Sequence, residues 1–181
     1  MDALGMVEVN SIAAGMEVSD AMLKAANVRL VGAQPVCAGK YITLVQGDVA
    51  AVKSSVDAGV SVAGNYHVDS FIIPNLHEQI FKALACATAL ERTDAIGTIE
   101  TYSLATCIEA ADTAVKSANI ELIEIRLGRG LGGKSFVTMT GDVSAVKFAV
   151  ENAVKSLGSG GMLLKTSVIP SPHPDLIKSI V

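Results

Sequence analysis

The apolar positions along residues 1–90 change period several times. Gly5-Met-Val-Glu-Val9 is a short apolar run that predicts a strand. From Ser11 to Ala26 the residues Ile12, Met16, Ala21, Met22 and Ala25 recur at helical spacing, with Ser11 standing where an N-cap is expected. Val28 to Val36 alternates loosely as a strand, and Tyr41 to Val45 is another. Asp48 is expected to cap a second helix running to about Val62. Val68 to Ile73 predicts a strand stopped by Pro74, and Leu76 to about Ala87 a third helix. The order β-α-β-β-α-β-α, with a Gly-containing turn between the middle strands, predicts an α+β fold: an antiparallel sheet with helices on one face.

The pattern then occurs again. At a shift of 92 residues Gly5, Glu8, Ser11, Asp20, Lys24, Ala26 and Asn27 fall on Gly97, Glu100, Ser103, Asp112, Lys116, Ala118 and Asn119. At 94, Gly39-Lys40 falls on Gly133-Lys134 and Gly47-Asp48-Val49 on Gly141-Asp142-Val143. At 96, Pro74 and His77 fall on Pro170 and His173. Both register changes lie in or near Gly-rich stretches, where insertions are tolerated. The chain is a tandem duplication, residues 1–90 and 95–181, joined near 88–94.

Composition narrows the function. Half of the chain is hydrophobic, 4% is aromatic, and there is no Trp, so the core must be built from Ala, Val, Ile and Leu. A net charge of −4 supplies no basic field to recruit nucleic acid or an acidic membrane. The low charged fraction of 18% suits a protein whose surface is partly buried between subunits. No apolar run approaches the roughly 20 residues that span a bilayer. The N-terminal Met1-Asp2-Ala3-Leu4-Gly5 lacks a signal-peptide pattern, so a cytoplasmic location is expected. The three cysteines, Cys37, Cys86 and Cys107, are then expected reduced.

The elements Gly5-x-x-Glu8, Asp20-Ala-Met-Leu-Lys-Ala-Ala-Asn27, Gly39-Lys40, Gly47-Asp48-Val49-Ala-Ala-Val52 and Ile73-Pro74-x-x-His77 resemble the bacterial microcompartment shell domain, the BMC domain. The second copy carries the same set at Gly97, Glu100, Asp112 to Asn119, Gly133-Lys134, Gly141 to Val146 and Ile169-Pro170-x-x-His173. The resemblance implies two tandem unpermuted BMC domains, ferredoxin-like with an extra C-terminal helix, and a structural protein rather than an enzyme. It implies a homotrimer whose six domains form a pseudohexameric tile with a central pore, meeting other microcompartment shell proteins edge to edge. In the family the lysines matching Lys24 and Lys116 lie at the tile edge. An Arg usually follows the Pro of the last strand, where this chain has Asn75 and Ser171. The pore loops are then Val36, Cys37, Ala38, Gly39 and Lys40 in one copy and Arg129, Gly130, Leu131, Gly132, Gly133 and Lys134 in the other.

The chain also resembles the tandem shell proteins of the propanediol-utilisation type, whose pore loop reads Cys-x-Gly-Lys. That likeness implies a 4Fe–4S cluster on the trimer axis, with Cys37 of each chain as ligand, and transfer of electrons or a cluster across the shell. A redox enzyme of the lumen is then an expected partner. Ala38 stands where those relatives often have Pro. Cys107, aligned with Gly15, and Cys86, in the third helical pattern, read as packing residues.

Other readings stay open at this level. An open pore for small metabolites makes Cys37 incidental, and a small-molecule-binding regulator built on duplicated ferredoxin-like domains is an alternative of another class. Gly128-x4-Gly133-Lys134-Ser135 fits a phosphate-loop spacing, but a strand pattern follows it where a phosphate loop opens a helix. His77 and His173 recur beside prolines, which favours turn-and-cap roles over catalysis. The repetition of Glu8 as Glu100 favours a structural role, and Lys40 and Lys134 are candidates for a positive pore rim.

Overall fold

The structure, a computed structural model, describes residues 3–86, 94–128, 130–158 and 162–180. The first copy runs β1 (Ala3–Val9), α1 (Ile12–Ala25), β2 (Arg29–Val36), β3 (Lys40–Gly47), α2 (Val49–Ala63), β4 (His67–Ile73) and α3 (Glu78–Leu84). The second runs β5 (Ala95–Thr101), α4 (Leu104–Ser117), β6 (Glu121–Leu127), β7 (Ser135–Gly141), α5 (Val143–Ser156), β8 (Leu163–Pro170) and α6 (Pro174–Ile180). The sheets have the equivalent orders β2-β3-β1-β4 and β6-β7-β5-β8, antiparallel throughout. Even the bulges recur: the register slips between Leu30 and Gly32, and again between Leu122 and Glu124.

Local chemistry explains the boundaries. Ser11 and Ser103 accept hydrogen bonds from Ala14 N–H and Thr106 N–H, capping α1 and α4 as expected. Asp48 and Asp142 occupy the N-cap positions of α2 and α5, although neither side chain makes the capping bond. The central strand β1 is buried along its whole length, so it reads as an apolar run rather than an alternation. Val7, Val9, Val18, Met22, Val45, Val52 and Val56 belong to one core cluster. Gly5 and Gly97 let α2 and α5 come close: a Cβ there would lie 2.6 Å from Val52 Cγ1 and 2.7 Å from Val146 Cγ1 respectively.

The third helix departs from the sequence expectation. It begins at Glu78, after His77, whose Nδ1 accepts from Gln79 N–H at 3.3 Å; His173 does the same for Asp175 N–H at 3.2 Å. Cys86, read as a packed helical residue, is instead exposed and lies beyond the helix end at φ 51°. The chain divides into two compact units, Met1–Leu76 and His77–Val181. Helix α3 therefore belongs to the first sequence repeat but to the second packed body. There it lies against β6, with Ile80 and Ala83 buried.

Candidate functional site

Strands β2 and β3 stay paired to Val36↔Lys40, so the turn between them is only Cys37, Ala38 and Gly39. Val36 ends the strand read over Val28 to Val36; Val36 and Lys40, which the resemblance counts among the pore-loop residues, are paired strand ends, and Val36 is buried. Pro35 is tolerated in β2 because this strand is the sheet edge. Gly39 takes the left-handed φ of 75° that closes the turn. Ala38 and Gly39 are exposed, and the Cys37 thiol is half-buried and outside any disulfide.

The equivalent hairpin of the second copy is wider, with residues 128–134 between β6 and β7. Gly128 N–H donates to Lys134 O at 3.1 Å and Lys134 N–H to Leu131 O at 3.2 Å, which folds Gly130, Leu131, Gly132 and Gly133 into a compact loop. Arg129 lies outside the described residues. Strand β7 follows at Ser135, so no helix N-terminus faces the loop and the phosphate-loop spacing carries no phosphate-loop geometry.

The two loop lysines turn back onto the first strand of their own sheet. Lys40 Nζ sits 2.6 Å from Glu8 Oε1, and Lys134 Nζ 2.9 Å from Glu100 Oε1. Each is a compensated ion pair rather than a lone rim charge, and the repetition of Glu8 as Glu100 is structural. The two pairs differ in environment: the Glu8 side chain is 6% exposed and that of Glu100 34%. The two lysines expected at a tile edge are also paired, Lys24 with Asp20 at 2.6 Å and Lys116 with Asp112 at 2.5 Å.

The three thiols separate by environment. Cys107 is fully buried in α4, and desolvation pushes its thiol up to about 12, a rise that a hydrogen bond with Thr101 partly offsets. It is a packing residue, as expected. Among the described residues no set of three His, Cys, Asp or Glu side chains in one chain forms a metal site. Among the described residues no helix is long and apolar enough to cross a membrane. Two open clefts occupy equivalent places in the two copies: about 400 Å³ beside Asn27, Arg29 and Gln46, and about 220 Å³ beside Asn119, Glu121 and Thr140.

One set of structural hydrogen bonds was not legible in the sequence. Asp112 accepts from His77 N–H at 2.8 Å, while Gln79 accepts from Leu122 N–H at 2.9 Å and donates to Ile120 O at 3.3 Å. These bonds seat α3 on α4 and β6. Asp112 lay within a repeated motif, but Gln79 aligns with Asp175 and carried no repeat signal.

The fold and its repetition agree with the known proteins this chain resembles. The family model described as the BMC domain matches residues 3–76 and again 95–172. The chain is 42% identical over 179 residues to the bacterial microcompartment shell protein PduT of Citrobacter freundii, covering 99% of this chain and 97% of that one. It is 44% identical over 85 residues to the shell protein PduA of the same organism, where 46% of this chain spans 91% of the relative, as a duplication requires. The crystal structure of a microcompartment protein from Desulfitobacterium hafniense DCB superposes with a TM-score of 0.96 at 54% identity, covering 98% of this chain and 99% of that one. With both halves matched and nearly the whole chain covered, the protein belongs to the BMC-domain family of bacterial microcompartment shell proteins.

Proposed function

We propose that three copies of this structural subunit close into a pseudohexameric tile of a cytoplasmic microcompartment shell, with the 37–39 and 128–134 hairpins lining its pore, and that Cys37 of each chain is a ligand of one 4Fe–4S cluster on the axis. The observation that carries this reading is the placement of Cys37. It is a half-buried thiol on the first residue of a three-residue turn, whereas Cys107 is sealed in the core. A single chain does not fit a cluster, because it offers one thiolate in that turn and, among the described residues, no further ligand set. Three chains around an axis offer three, which fits a cluster whose fourth iron takes another ligand. When bound, the cluster supplies one-electron chemistry. The chain's own residues hold the turn: Gly39 closes it, and the Lys40–Glu8 pair anchors the adjoining strand end.

Anaerobic purification with iron and sulfide counted per trimer tests this directly. About four irons per trimer, an electron paramagnetic resonance signal on reduction, and loss of both in Cys37→Ser are expected. Iron-free trimers after reconstitution would leave a tile with an open pore for small polar solutes, in which Cys37 is incidental.

A further inference from the structure

The duplication places opposite charges at one pair of equivalent positions. Gly47 and Asp48 of the first cleft recur as Gly141 and Asp142 of the second, but Arg29 of the first stands where the second has Glu121. The first cleft is therefore lined by one guanidinium and one carboxylate. The second is lined by the carboxylates of Asp94, Glu121 and Asp142 and by no cation. Lysines of the surrounding helices are neutralised within their own helix: Lys24 by Asp20, Lys53 by Asp57 and Lys116 by Asp112. Arg29 and Glu121 are not. Both are exposed, and among the described residues neither has an ion pair. Arg29 donates to the side-chain oxygen of Gln46, a buried neutral amide that fixes the guanidinium at the cleft without cancelling its charge.

Each cleft lies at the end of its sheet away from the hairpin. Strand β3 runs from the 37–39 turn to Gln46 and Gly47, and β7 from the 128–134 loop to Thr140 and Gly141. A strand of that length separates cleft from hairpin by roughly 20 Å. With the hairpins at the pore, the clefts fall toward the rim of the tile. A three-fold tile then carries the two kinds of cleft in alternation around its rim.

We propose that tiles of this chain meet by a matching rule: the first-copy cleft of one tile faces the second-copy cleft of the next, and Arg29 pairs with Glu121 across the seam. The rule works by repulsion as much as by attraction. Two second-copy clefts face to face would set the Asp94, Glu121 and Asp142 carboxylates against their own copies. Two first-copy clefts would set Arg29 against Arg29. Opposite edges of a three-fold tile are of different kinds, so translation alone brings every first-copy edge to a second-copy edge, with all tiles facing the same way. A lone exposed ion pair is weak, but one at every edge of a tile acts together with the rest.

This inference rests on the tile reading above, and the test uses the full chain. Trimers of Arg29→Cys and trimers of Glu121→Cys are mixed and oxidised, both in a Cys86→Ser background that removes the exposed native thiol. Bands of two linked chains are expected in the mixture, absent from either variant alone and lost on reduction. In a second arm, light scattering follows the association of unaltered trimers. Arg29→Glu is expected to raise the concentration needed by at least roughly tenfold, and Arg29→Glu with Glu121→Arg to restore it. Bands from one variant alone would overturn the matching, because like edges then meet. A mixture without bands, or association that ignores Arg29→Glu, would overturn the contact and leave the tile standing. A protein that never forms trimers would overturn the tile reading as well.

Discussion

At one junction of helix and strand the two copies use different volumes. In the first, Gly15 of α1 lies against Tyr41 of β3, so closely that a Cβ at 15 would sit 2.4 Å from the Tyr41 ring. In the second, the equivalent pair is Cys107 and Ser135, both fully buried. A small residue under a large ring has become a medium residue beside a small one, and the helix–sheet architecture is unchanged. The second solution is also more polar: Thr101 replaces Val9, and Ser135 Oγ has no hydrogen-bond partner among the described residues. A duplicated domain keeps its packing density while exchanging the residues that achieve it, provided they change together.

The largest test breaks that pairing. Tyr41→Ser alone should cost about 3–5 kcal/mol by opening a cavity, and Gly15→Cys alone about 1–3 kcal/mol by overpacking. The double variant, which copies the second domain into the first, should be less destabilised than the sum by at least about 1 kcal/mol in denaturant unfolding. Simple additivity would show that the exchange is not compensatory.

Next in size is the contrast between the two Lys–Glu pairs. Lys40→Met strands a carboxylate whose side chain is 6% exposed, and should cost about 3 kcal/mol or more. Lys134→Met removes the partner of a carboxylate that is 34% exposed, and should cost about 1 kcal/mol or less. Equal melting-temperature shifts would refute the assignment of different burial.

A smaller effect is expected after the last strands. Asn75 and Ser171 are equivalent residues held at φ 55° and 50°. Asn tolerates the left-handed region better than Ser, so Ser171→Asn should stabilise by under about 1 kcal/mol. Asn75→Ser should do the reverse.

The smallest effect is on Cys107, whose titration leaves stability unchanged below its unfolded pKa of 9.0. Because the folded value is raised, its contribution is fully present below pH 9.0 and is lost as pH rises through about 12. Native alkylation at pH 8 should therefore modify Cys86 rapidly and Cys107 only on unfolding. Rapid native labelling of Cys107 would contradict its burial.

Much of the fold was legible because its signals are local. Apolar period distinguishes β1 from α1, Ser11 marks a helix start, and Pro74 marks a strand end. The site was legible only in part. Cys37, Gly39 and Lys40 were found and Val28 to Val36 was read as a strand, but the pore-loop range also took in Val36 and Lys40, which are paired strand ends. Where a hairpin's pairing ends depends on its partner strand, so the length of the turn is a property of the sheet. Cys86 was read as packed because its neighbours are apolar, yet the helix stops before it.

The sequence alone therefore determined the two copies, the order of their elements and the equivalence of their loops, since periodicity, caps and repetition are written residue by residue. Only the tertiary structure decided where each piece finds its burial. It carried α3 out of its own repeat and onto β6, tied Lys40 and Lys134 to Glu8 and Glu100, and left the α1–β2 face open. The reason is physical: burial and ion pairing depend on which distant segments meet, and a seven-residue helix such as α3 is too short to be stable until it meets its seat.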